Sequence, residues 1–125
     1  MTELEASLQS RVISTLTLYL GNGARGYVDR RDAGAVSRRY RQKRAAGTPD
    51  LQVVLAHGLI CWIELKRPGR ATKKRADQEA QAAWQARARR LGHKFVVADS
   101  VEGAIAFVRR VESGAPCKQA SKLVS

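Results

Sequence analysis

Asp50 and the run Glu64-Leu65-Lys66 carry the residue types and spacing best suited to chemistry. Side chains alternate faces along a strand, so Glu64 and Lys66 share one face of the segment Leu59 to Lys66, together with Ile60 and Trp62. Leu51 to Leu55 reads as a preceding strand, and His57-Gly58 as the turn between them. A hairpin centred near His57 sets Asp50 opposite Glu64. Two carboxylates held together repel unless something positive lies between them. Paired oxygen ligands suit a hard divalent cation such as Mg²⁺, which keeps water and leaves room for a phosphate. A metal, two acids and a lysine suit phosphodiester hydrolysis: the metal polarises the phosphate and acidifies a water, and the ammonium stabilises charge or orients that water. The same spacing also fits a turn aspartate beside an ordinary cross-strand Glu–Lys pair.

The rest of the chain supplies the elements that position these residues. Leu4, Leu8, Val12 and Leu16 recur at i, i+4 and predict a helix from about Glu3 to Leu20, stopped by Gly21-Asn22-Gly23. Gly26-Tyr27-Val28 reads as a short strand, and Ser37 to Ala46 as a short helix with a weak apolar face, both within a basic connection over 24–47. Gly47-Thr48-Pro49-Asp50 is a turn sequence. After Pro68-Gly69, a basic loop leads to a helix from about Ala76 to Leu91, with Ala80, Trp84, Ala88 and Leu91 on its apolar face and Gly92 at its end. Lys94 to Ala98 predicts another strand. Asp99-Ser100 caps a last helix with Val101, Ile105 and Val108 facing inward. The order predicts one mixed α/β domain over 1–112, a small central sheet flanked by helices, with a loose tail over 113–125.

Composition narrows the partner. Lys and Arg number 23 against 11 Asp and Glu, a net charge of +12 in 125 residues. Such an excess suits a polyanion, because Lys and Arg displace counterions from phosphates. Two widely spaced cysteines, Cys61 and Cys117, make neither a disulfide framework nor a zinc site. Cys61, inside an apolar run, reads as a buried thiol. No apolar run is long enough to span a membrane, and the acidic start Met1 to Glu5 is unlike a signal peptide. The expected setting is a reducing cytoplasm. No Gly-x-x-x-x-Gly-Lys-Ser/Thr loop is present, which argues against ATP-driven work, and two histidines in these contexts give no Ser-His-Asp triad.

Gly47-Thr48-Pro49-Asp50-Leu51, a short hairpin, and Trp62-Ile63-Glu64-Leu65-Lys66-Arg67-Pro68-Gly69 together resemble the PD-(D/E)xK nuclease signature. More narrowly they resemble the virus-type replication-repair nuclease (VRR-NUC) domain, in the stand-alone form of phages and bacteria. The resemblance spans about Glu5 to Val108. It implies a restriction-endonuclease-like fold, a mixed sheet with flanking helices, and an Mg²⁺-dependent DNA endonuclease in which Mn²⁺ substitutes. It further implies Asp50, Glu64 and the Leu65 carbonyl as metal ligands, Lys66 assisting the attacking water, and a homodimer that cuts branched DNA such as Holliday junctions in DNA repair. Flap-type or non-selective cutting is the rival within the enzyme class. A non-catalytic basic nucleic-acid-binding module is the rival outside it.

The family also carries a glutamate in its first helix, for which Glu3 and Glu5 compete. At about 100° per residue, Glu5 falls inside the arc of Leu4, Leu8, Val12 and Leu16, and Glu3 falls opposite. A carboxylate on a buried face needs a partner or a metal, which selects Glu5. A glutamine in the helix after the E-x-K strand is a further family feature. Gln81 at the edge of the apolar face is preferred over Gln78 and Gln85, although the Lys66–Gln81 interval is longer than the family pattern. Arg38, Arg39, Arg41, Lys43 and Arg44, with Tyr40 among them as a base-stacking candidate, are expected to contact DNA. So are Arg67, Lys73 and Lys74, which follow the active-site strand and suit phosphates rather than bases. Trp62 and Trp84 are expected in the core.

Overall fold

Helix α1 (Glu3–Tyr19) forms because Leu8, Val12, Leu16 and Leu20 line one face, and all four are buried. The computed structural model describes residues 3–31, 47–66 and 75–114, with side chains from residue 6 onward. The expected helix over 37–46 lies outside the described residues.

Strand β1 (Gly26–Arg30) follows α1 and runs two residues further than the sequence suggests. Then come β2 (Leu51–Leu55), a tight turn over Ala56–Gly58, and β3 (Ile60–Leu65). The turn puts His57 and Gly58 in left-handed backbone, with φ of 63° and 75°. Helix α2 (Arg75–Leu91) carries the chain to β4 (Lys94–Ala98), and α3 (Val101–Ser113) ends the described fold. The four strands lie in the order β1-β2-β3-β4. The first three are antiparallel, and β3 pairs with β4 in parallel, which requires a crossover such as α2.

Each sheet face has its own core. Leu51, Val53, Leu55, Cys61, Ile63 and Leu65 pack against α1 and α3. Trp62 and Phe95 point to the other face, where α2 covers them with Trp84 and Ala88. The rings of Trp62 and Trp84 meet edge-on at 5.5 Å, and those of Trp84 and Phe95 at 5.7 Å. Cys61 is fully buried in the core between the sheet and α1 and α3.

Helix ends follow local chemistry. The Ser100 hydroxyl caps α3 by accepting from the Gly103 amide at 3.0 Å. Gly92, with φ of 81°, ends α2 in a Schellman motif, in which His93 N–H donates to Ala88 O and Gly92 N–H to Arg89 O. Two expected faces shift. In α3 the buried residues are Ala104, Phe107, Val108 and Val111, while Val101 and Ile105 are half-buried, because the helix turns its Ala104–Phe107 side to the α1 core. Leu91 is 61% exposed, since it lies beyond the Trp84–Ala88–Phe95 cluster at the last residue of α2. Among the described residues no helix is long and apolar enough to cross a membrane.

Candidate active site

The hairpin register decides which residues meet. Leu51 pairs with Ile63 and Gln52 with Trp62, so the next pair outward is Asp50 with Glu64. Opposed residues of antiparallel strands share a face, and both lie on the α2 side, like Trp62. Lys66, two residues after Glu64, has the same facing. At this level Lys66 N–H donates to Ala98 O at 2.9 Å, which ties the end of β3 to β4.

Asp50 is held by main chain. Its Oδ2 accepts from the Leu65 amide at 2.9 Å. The pairing carried one residue further sets Pro49 opposite Leu65. Proline has no N–H, so it cannot donate to the Leu65 carbonyl, which points to the same edge as the Leu65 amide. The Pro-Asp pair thus puts a carboxylate on that amide and gives the neighbouring carbonyl no ladder donor from Pro49.

Glu64 is held by α2. It is 3% exposed, and its Oε2 accepts from Gln81 Nε2 at 2.6 Å. Gln81 is 8% exposed, whereas Gln78 is exposed and Gln85 half-buried. The Gln81 amide satisfies one oxygen of this buried carboxylate.

Gly47 joins these two supports. Its φ is +81°, and a Cβ there would lie 2.2 Å from Ala80 O and 2.7 Å from Gln81 N. Only glycine lets the turn leading to Asp50 rest on the α2 backbone at the residue that grips Glu64. The sequence marks Gly47 as a turn residue; nothing local in it signals the contact with α2.

Asp50, Glu64, Leu65, Lys66 and Gln81 are therefore gathered at one end of the sheet. The Glu5 side chain lies outside the described residues, as do Arg38, Arg39, Tyr40, Arg41, Lys43, Arg44, Arg67, Lys73 and Lys74. Gln9, one turn after Glu5, was not singled out by the periodicity. It is 2% exposed, and its Nε2 has no hydrogen-bond partner among the described residues. At about 100° per residue it falls beside Leu16 on the buried arc, the signal that would have found it.

No family model matches the sequence, and no curated protein does. A solved structure titled "VRR_NUC domain" superposes with a TM-score of 0.52 at 22% sequence identity, covering 80% of this chain and 92% of that one. The mixed four-stranded sheet with α1 and α3 on one face and α2 on the other is the fold of a VRR_NUC domain.

Proposed function

We propose that this protein is a divalent-metal-dependent endonuclease that hydrolyses DNA phosphodiester bonds. The carrying observation is the Asp50–Glu64 row, with Lys66 on the same face and Gln81 bonded to Glu64, on a VRR_NUC fold. A basic DNA-binding module needs no such acids, since carboxylates facing a phosphate backbone weaken binding unless a cation lies between. The chain's net charge of +12 supplies general attraction to nucleic acid.

The donor set fits a hard cation. Asp50, Glu64 and the Leu65 carbonyl offer only oxygen, as Mg²⁺ and Mn²⁺ prefer. We assign a third carboxylate to Glu5, as the family resemblance implies, acting directly or through water; among the described residues no group of three His, Cys, Asp or Glu is assembled. A bound divalent cation would neutralise the acid pair, polarise the phosphate and lower the pKa of a water.

The chain's own residues do the rest. The Leu65 amide fixes the direction of the Asp50 carboxylate. Gln81 fixes Glu64 and satisfies one buried oxygen. The Lys66 ammonium stands on the same face, where it orients the attacking water or stabilises charge on the phosphate oxygens. The packed Trp62, Trp84 and Phe95 rings keep the β3 strand rigid beside the site.

We further infer branched DNA, such as a four-way junction, as the preferred substrate and a homodimer as the working form, since two symmetric sites can cut two strands. The test is cleavage of a labelled four-way junction beside linear duplex and single strand, with Mg²⁺ and with EDTA. Cutting of the junction alone supports the full proposal. Cutting of all three keeps the nuclease and removes the selectivity. Binding without cutting in Mg²⁺ or Mn²⁺ overturns the enzyme.

A further inference from the structure

The row of side chains through the site does not stop at Asp50. Arg31 N–H donates to Asp50 O at 2.8 Å, extending the β1–β2 ladder by one pair beyond Arg30 and Leu51. Arg31 therefore stands opposite Asp50 as Asp50 stands opposite Glu64, and all three share the α2 face. Its guanidinium confirms the facing: it lies 5.8 Å from the centre of the Trp62 ring. The acid pair is thus flanked on the same face, by Arg31 from β1 and by Lys66 from β3.

The arginine is positioned but weakly engaged. Its ion pair with Asp29 is 3.7 Å long, beyond hydrogen-bond length, and Asp29 is half exposed. Its Nε is buried and has no hydrogen-bond partner among the described residues. The side chain is 36% exposed, so part of it is open to solvent. The surface beneath it is firm, because Trp62 is wedged against Trp84. A planar fork held against a rigid ring, with its Nε unmet among the described residues, Asp50 one strand away and Glu64 two, suits an anion that must approach those carboxylates. A backbone phosphate matches the fork geometry.

We propose that Arg31 binds a DNA backbone phosphate next to the one cleaved, holding the substrate strand across the β1–β2 edge of the site. This rests on the nuclease reading for the nature of the ligand. A phosphate contact adds affinity and register without reading sequence.

The test measures binding and turnover separately. Binding of a labelled duplex and a labelled four-way junction to the full chain is followed in Ca²⁺ over a range of salt. Arg31→Gln is expected to lower the slope of log K against log salt by about 0.9, alike on both DNAs. In Mg²⁺ it is expected to raise KM about tenfold with kcat within about twofold, the signature of lost uniform binding. Arg31→Lys keeps the charge, and so is expected to keep the slope while losing a few-fold in affinity (about threefold) with the fork. Arg25→Gln removes the same charge from the opposite side of the molecule, where Arg25 pairs with Glu112, and should leave the slope unchanged. An unchanged slope for Arg31→Gln, or an equal loss for Arg25→Gln, overturns the assignment. The binding arm needs no turnover, so failure of the wild type to cut would sink the nuclease reading and leave the Arg31 result legible.

Discussion

The Asp50 carboxylate replaces the main chain at the end of the β2–β3 ladder, accepting the Leu65 amide at 2.9 Å. One side chain thus closes the hairpin and stands in the row with Glu64. Its two roles can be separated. Asp50→Asn keeps an oxygen acceptor for the amide but loses the charge. Cleavage should fall by at least about 100-fold, with the melting temperature nearly unchanged. Asp50→Ala should lose as much activity and also about 1–3 kcal/mol of stability, because the Leu65 amide is orphaned. Denaturant unfolding beside a cleavage assay distinguishes the two.

Gln81 should act through Glu64. Gln81→Leu removes the amide that meets the Glu64 carboxylate at 2.6 Å. A buried carboxylate stripped of a donor costs about 1–3 kcal/mol. We expect that loss, and a higher Mg²⁺ concentration for half-maximal activity, because Glu64 is no longer held in place. Gln78→Leu, at an exposed position away from the Glu64 contact, should leave the Mg²⁺ requirement unchanged.

Gly47→Ala is expected to be among the most damaging substitutions outside the acids. The left-handed φ of +81° and a Cβ 2.2 Å from Ala80 O both oppose it. Thermal melting should show a loss of at least about 2 kcal/mol, since the turn must move away from α2. Activity should fall with it, because that turn carries Asp50.

The helices α1 and α3 are joined far from the site by Tyr19, whose hydroxyl donates to Glu112 at 2.6 Å, with Arg25 over its ring. The hydrogen bond to Glu112 raises the Tyr19 pKa above 10.0, with burial and the Glu112 charge adding to it. A raised folded pKa means that this contribution is fully present below pH 10.0 and is lost as pH climbs through the raised value. The stability gap between wild type and Tyr19→Phe should therefore be flat from neutral pH to about 10 and narrow above it. A gap that changes between about pH 6 and 9, below the transition, would contradict this assignment.

Much of this arrangement was legible in the sequence. The alternation from Ile60 to Lys66 assigns faces, and His57-Gly58 fixes the hairpin centre, so the Asp50–Glu64 pairing follows from counting. The caps at Ser100 and Gly92 are equally local. What escaped depends on contacts between distant segments. The nesting of Gly47 on Ala80 and the burial of Gln9 need α2 and α1 docked before they can be seen. The rotation of α3 toward Ala104 and Phe107 is set by its neighbour α1, and its own periodicity tolerated the other face. Arg31 was one of many arginines until the β1–β2 register set it beside Asp50.

Glu64→Ala separates metal-dependent cleavage from DNA binding. Cleavage of a labelled four-way junction in Mg²⁺ is followed for wild type and variant, with binding measured in Ca²⁺. A metal ligand at Glu64 requires cutting by wild type, no detectable cutting by Glu64→Ala, and binding of both within about threefold, since the acid serves the metal and not the DNA. Equal cutting by the two proteins, or none by wild type in Mg²⁺ or Mn²⁺, would contradict it.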